Sequence, residues 1–108
     1  MSALAPTLQS FFADYLSQQR AASTHTIAAY RDTFRLLLSY VLEQTGVRPS
    51  DIDMSLLDAE LIGAFLTMLE QDRGNSTRTR NARLAAIHSL FSGVATLFRT
   101  GLLEFLLC

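Results

Sequence analysis

At 108 residues the chain has room for one domain and a single core, and with 49% hydrophobic and 18% charged residues it is not a disordered tail. A formal net charge of −1 excludes a uniformly basic nucleic-acid binder, so any site for a polyanion has to come from local clustering. The single cysteine, Cys108, excludes an internal disulfide framework, and neither a signal peptide nor a run of ~20 apolar residues is visible, so the expectation is a cytoplasmic protein with no membrane partner.

Four helices are predicted in chain order. The first, over 7–19, enters after Pro6 with Thr7 as its candidate cap, and Leu8, Phe11, Phe12, Tyr15 and Leu16 form one apolar face. The second, over 24–45, is capped by Ser23 or Thr24 and carries the stripe Ile27, Tyr30, Phe34, Leu37, Leu38 and Val41. Gly46 stops it and Pro49 confirms the break. Residues 47–57 read as a connector with a turn at Pro49-Ser-Asp51. The third helix, over 58–73, starts from Asp58 and aligns Leu61, Ile62, Phe65, Leu66 and Leu69. The fourth, over 77–98, has Leu84, Ile87, Phe91, Val94 and Phe98 as its core stripe. No strand and no internal repeat is evident, so the fold class is all-α, a small four-helix bundle.

The charge is not spread evenly. Residues 73–83 hold four of the nine arginines and no acid, and they lie at the mouth of the fourth helix; the chain has no lysine. Guanidinium forks, hydroxyls and the free N–H groups of a helix N-terminus together suit phosphate. Arginine near a helix N-terminus disfavours the helix itself, which asks for an external reason: a polyanion resting at that tip. The competing view is a solvated helix start whose arginines pair with Glu70 or Asp72, and Arg80 lies on the extension of the core stripe, the most structural position of the set. At ~100° per residue, Arg78, Asn81, Ala85, His88, Ser89 and Ser92 share the far side of this helix, a face of mostly short side chains able to approach a groove closely. At the start of the second helix Thr24, His25 and Thr26 offer capping and, beyond it, phosphate contact; Arg31 and Arg35 extend a basic edge that Asp32 tempers. His25 and His88 lack cysteine or carboxylate neighbours at metal-ligand spacing, and no nucleophile triad or phosphate-cradling glycine loop appears, so neither metal, cofactor nor small-molecule substrate is expected.

Two segments carry a resemblance. Ser23, Thr26, Tyr30 and Phe34 match a Ser-x-x-Thr-x-x-x-Tyr-x-x-x-Leu element. Thr77, Arg83, Leu84, Ala85, Ala86, Ile87, Leu90 and Phe91 match a Thr…Arg-Leu-Ser-Ala-Leu-Arg-x-Phe-Phe element. In order, with a helix between them, they resemble the N-terminal, SAM-like core-binding domain of the tyrosine recombinases, the phage-integrase and Xer-like family, over residues 7–91.

The resemblance implies a domain that lies across one side of recombination-site DNA, its second and fourth helices in or along the major groove, while a separate C-terminal domain supplies the tyrosine nucleophile. It implies DNA integration or recombination as the process, double-stranded DNA as partner and other recombinase subunits beside it. On this basis Thr24, His25, Thr26, Arg31, Thr77, Arg78, Asn81, Arg83, His88 and Ser89 are the expected DNA-contacting residues. The chain itself is expected to be no enzyme. Tyr30 belongs to a core stripe and not to a catalytic site. Two departures stand out: His88 replaces a frequent Arg, and residues 92–108 form an apolar tail where the family continues with an aromatic and basic run. The expectation is a recombinase truncated before its catalytic domain. The alternatives are a helical protein-interaction module and a helix-turn-helix-like transcription regulator; the long connector from Gly46 to Asp58 argues against the latter.

Overall fold

A computed structural model describes the backbone of residues 3–15 and 23–107 and the side chains of residues 3–13 and 23–92. Four helices carry the fold: α1 (Leu4–Ser10, continued by a wider i→i+5 turn over Phe11–Tyr15), α2 (Thr24–Thr45), α3 (Ala59–Asp72) and α4 (Thr77–Leu107). There is no strand among the described residues, and one isolated bridge joins Ala3 to Asp53.

The helix ends follow from local chemistry. Ser23 Oγ accepts the N–H of Thr26 at 3.1 Å, Asp58 Oδ1 that of Leu61 at 2.8 Å and Ser76 Oγ that of Thr79 at 3.2 Å, each satisfying one of the free donors of a helix start. Gly46 takes φ 74°, a left-handed conformation that favours glycine, and its N–H closes α2 onto the carbonyl of Leu42 at 2.9 Å.

The first helix departs from expectation. It begins at Leu4 and not after Pro6, because Ala3 bridges to Asp53 and the Leu4 N–H donates to the Ile52 carbonyl at 2.9 Å. Pro6 is tolerated in the first turn, where its missing N–H would have had no helical acceptor. Thr7 is no N-cap: its hydroxyl donates to the Ala3 carbonyl at 2.8 Å. The expected end near residue 19, and the side chains of Tyr15 and Leu16, lie outside the described residues. The connector folds into two short 3-10 turns, Pro49–Asp51 and Met54–Leu56, which bury Ile52 and Leu57. The backbone of α4 runs on to Leu107, nine residues beyond the expected end, through a segment whose helix-compatible leucines carry no proline to stop it.

The core is one cluster to which all four helices contribute: Leu4 and Phe11; Phe34, Leu37 and Val41; Phe65, Leu66 and Leu69; Ile87 and Leu90, with Ile52 and Leu57 closing one end. Around Phe34 the rings of Phe11 and Phe12 pack edge-on, with centroids at 6.1 and 6.0 Å, and Tyr30 stacks parallel to Phe11 at 6.4 Å. Tyr30 is therefore a packing residue, as its place on the stripe implies. On α4 the most buried line is Ala86, Ile87 and Leu90, with Leu84 and Phe91 only partly covered, so the helix is rotated towards α2 relative to the expected stripe. The side chains of Val94 and Phe98 lie outside the described residues. Phe34→Ala is expected to lower stability by about 3–5 kcal/mol; urea denaturation followed by circular dichroism checks it, and a shift below about 1 kcal/mol is incompatible with the ring cluster as the core's centre.

Candidate nucleic-acid interface

Two helices open on the same four-residue pattern, Ser23-Thr-His-Thr26 on α2 and Ser76-Thr-Arg-Thr79 on α4. In each, the serine hydroxyl lies near the hydroxyl of the threonine three residues on, at 3.1 and 3.2 Å, and accepts that residue's N–H. In each, the second helical position holds a side chain able to carry positive charge, His25 and Arg78, both exposed. Thr24 and Thr77 occupy the first helical positions and are exposed as well.

The two tips lie side by side. Thr26, Ala29, Tyr30, Asp32 and Thr33 form one wall of a groove of about 640 Å³; Arg78, Thr79, Ala82, Arg83 and Ala85 form the other. Thr26 faces the first turn of α4, while Ala29 and Thr33 meet Arg83 further in, so the helices run parallel and start at the same end of the molecule. A helix N-terminus carries roughly half a positive charge, and two side by side repel each other unless an anion lies between or beyond them. Neither helix has an acid in its first turn. The third helix, by contrast, has Asp58 as its cap and Glu60 in its first turn. The N–H groups of Thr24, His25, Thr77 and Arg78 precede those used by the serine caps and lie in the part of a helix start that has no intrahelical acceptor.

The arginine run divides. Arg83 is held inside the fold: Nη1 donates to Thr33 Oγ1 at 2.9 Å and to the Ala29 carbonyl at 3.3 Å, and Nη2 donates to Asp32 Oδ2 at 2.9 Å. The Thr33 hydroxyl, itself buried, donates its proton to the Ala29 carbonyl at 3.0 Å. Arg83 Nε is buried without a partner among the described residues, so the three bonds made by the two terminal nitrogens have to outweigh that cost. Arg80 pairs with Glu70 at 2.7 Å, consistent with its place beside the core stripe. These two guanidinium groups are tied by the protein's own carboxylates. Arg73 lines a different groove, between α2 and α3, with Arg35, Glu43 and Asp72. The four arginines of the run are therefore not one cluster, and the expectation of a gathered set is corrected to a single cation at this groove without an ion pair among the described residues, Arg78; Arg73 is likewise without an ion pair there but lies at the other groove.

The remaining expected residues fall in three places. Asn81, His88 and Ser89 lie along the outward side of α4, Asn81 and His88 exposed and Ser89 half-buried. His88 also borders an apolar cleft against α3, formed with Leu57, Ile62, Leu66, Leu84 and Phe91. Arg31 does not join the groove: five residues past Thr26, it lies about 140° round α2, and its guanidinium sits 6.0 Å from the Phe12 ring centroid. Sequence reasoning missed Thr33 and Thr79 as groove walls and Asp32 as the partner of Arg83. The twin serine-threonine openings were a legible signal for Thr79; nothing local announces a pair formed across 51 positions.

Asp32 accepts from Arg35 through Oδ1 and from Arg83 through Oδ2. The Arg35 bond first, then Arg83 through its bond and its charge, hold the carboxyl below its usual range against an opposing effect of burial.

Three comparisons bear on this arrangement. The family described as phage integrase, N-terminal SAM-like domain, matches residues 9–96. Among curated proteins, the chain is 52% identical over 90 residues to y4rC, a candidate integrase/recombinase of Sinorhizobium fredii, covering 83% of this chain and 27% of that protein. It is 46% identical over 92 residues to the similarly described y4rD of the same organism, covering 85% and 33%. It is 33% identical over 77 residues to the tyrosine recombinase XerC of Rhodospirillum centenum, covering 71% and 22%. The chain thus spans no more than about a third of the length of the curated relatives it matches. No solved structure matches it.

The two ion pairs of the run should differ in weight. Arg83→Ala is expected to cost about 1–3 kcal/mol, because it strips bonds to a charged donor from a half-buried site, whereas Arg80→Ala breaks a more exposed pair and costs about 0–1 kcal/mol; equal losses in urea titrations would contradict the division. A depressed carboxyl stabilises the fold above its unfolded pKa of about 3.9, and that contribution fades as pH falls through the lower folded value. The stability gap between the parent and Asp32→Asn is therefore expected to stay level from about pH 7 to 5 and to narrow below about pH 4; a gap that widens in acid refutes the pairing.

Proposed function

This chain belongs to the phage integrase N-terminal SAM-like domain family, and from that membership we propose that it is a double-stranded-DNA-binding unit of a tyrosine-recombinase-type protein, acting in DNA integration or recombination. The observation that carries the proposal is the pair of parallel helix N-termini with no acid in either first turn. A phosphodiester backbone supplies the missing anion: Thr24, His25, Thr77 and Arg78 contact phosphate through hydroxyls, side-chain cations and free N–H groups. Thr26 lines the groove behind them. Asn81, His88 and Ser89, on a side of α4 flanked by exposed Ala82 and Ala85, face the bases or the adjoining backbone. Arg83 acts from within, and Arg31 flanks the interface.

The chain contributes contact and not chemistry in this proposal. The matched segment covers no more than about a third of each of these curated relatives, and in this proposal strand cleavage belongs to the remainder of such proteins. Neighbouring subunits on DNA are a further proposed partner. With few free cations, binding of this unit alone is weak, with non-specific dissociation constants of ~10⁻⁴–10⁻⁶ M at physiological salt.

One observation favours a second function. The cleft of about 420 Å³ between α3 and α4, walled by Leu57, Ile62, Leu66, Leu84, Ile87 and Phe91, is apolar in the way of a protein-interaction module. Such a module self-associates in sedimentation without salt-sensitive DNA affinity.

Fluorescence anisotropy with a labelled duplex, titrated across salt, tests the DNA proposal. Arg78→Ala is expected to weaken binding and to lower the slope of log K against log salt by about 0.9, one phosphate contact. Arg73→Ala, outside the groove, is expected to leave that slope alone. Equal slopes for the parent and Arg78→Ala would take the α4 tip out of the interface.

A further inference from the structure

The strongest polar tie between α2 and α4 lies directly behind the two tips. Arg83 reaches three groups spread over one turn of α2: the Ala29 carbonyl, Asp32 and Thr33. A planar fork bonded at three such points fixes both the axial register and the rotation of one helix against the other. The groove in front of it has little else to do so. Thr26, Ala29, Thr79, Ala82 and Ala85 in its walls are too short to reach across, and of the longer side chains Tyr30 stacks on Phe11 while Arg78 stands exposed at the tip. Asp32 is in turn aligned from the solvent side, where Arg35 occupies Oδ1 and leaves Oδ2 to Arg83. Ala29 is one turn from Thr26, about 4.5 Å along the axis, and Arg83 is seven residues from Ser76, about 10 Å. A small rotation at the tie therefore displaces the tips.

We infer that Asp32 is a positioning residue for DNA binding: through Arg83 it sets the spacing of the two helix tips, and so it strengthens binding although it is itself an anion on the side that faces phosphate. This rests on the DNA proposal above. It makes an outcome that charge alone does not. Asp32→Asn adds one positive unit beside the groove, and Coulomb attraction to DNA by itself tightens binding. Loss of positioning weakens it. Arg83→Lys keeps the charge but replaces the fork by a point donor that cannot span Ala29, Asp32 and Thr33 together. It separates geometry from electrostatics in the same direction.

The experiment measures duplex affinity by anisotropy at low salt for the parent, Asp32→Asn and Arg83→Lys, each at a temperature where circular dichroism shows the variant folded. Both variants are expected to bind about tenfold more weakly, a change of the size that a single charge-assisted hydrogen bond makes. A purely structural tie lowers the melting temperature and leaves the affinity of the folded molecules unchanged. That result, or tighter binding by Asp32→Asn, overturns the inference. Should Asp32→Asn fail to fold, Arg83→Lys carries the test alone. A parent with no salt-sensitive DNA affinity removes the DNA proposal itself, an outcome distinct from a parent that binds and variants that bind equally well.

Discussion

Among the described residues, the Arg83 side chain joins α2 to α4 by directed bonds and not by packing alone. Apolar contact holds α2 and α4 together, but it is non-directional and tolerates rotation about a helix axis. A guanidinium that donates to Asp32, Thr33 and Ala29 does not. The buried Thr33 hydroxyl shows how closely this tie is fitted: it accepts from Arg83 and donates to the carbonyl one turn back, so its proton and one lone pair are both used at 2 % exposure. The helix tips and the groove between them lie directly in front of that junction.

Two adjacent helix N-termini are electrostatically unfavourable as they stand. The first turn of α3 answers its own dipole with Asp58 and Glu60, and the first turns of α2 and α4 do not. They place His25 and Arg78 there instead, each on a Ser-Thr-x-Thr opening. A fold that leaves such a tension unanswered is one that gains when an anion arrives, and in the function proposed above that anion is the DNA backbone. The tension is modest, of order 0.3–1 kcal/mol per charge at an exposed helix end.

Along the chain, the arginine run is the most basic stretch of a molecule whose net charge is −1. In space, Glu70 neutralises Arg80, Asp32 neutralises Arg83, and Arg73 turns to another side. What the two tips themselves offer, among the described residues, is one guanidinium, an imidazole and a set of oriented N–H donors. Recognition of this kind relies on geometry more than on accumulated charge, which gives the tie behind the tips its importance.

The helices themselves were legible in the chain because their signals are local. A serine accepting the N–H three residues on, an aspartate doing the same at Asp58 and a glycine at φ 74° act within a single turn, and apolar spacing over α2 and α3 identifies Phe34, Leu37, Val41, Phe65, Leu66 and Leu69 without reference to anything distant. The motif residues that resemble the recombinase family lie on those same local elements. The start of α1 was not legible, since Leu4 is fixed by a bond to Ile52, nor was the rotation that buries Ala86 and Leu90. Above all, the fate of the arginines was decided by tertiary structure. Whether a guanidinium meets phosphate or its own carboxylate depends on which helix face lies across from it, and for Arg83 that face is 51 residues away, brought there by the packing angle of α2 on α4 and not by anything written beside it.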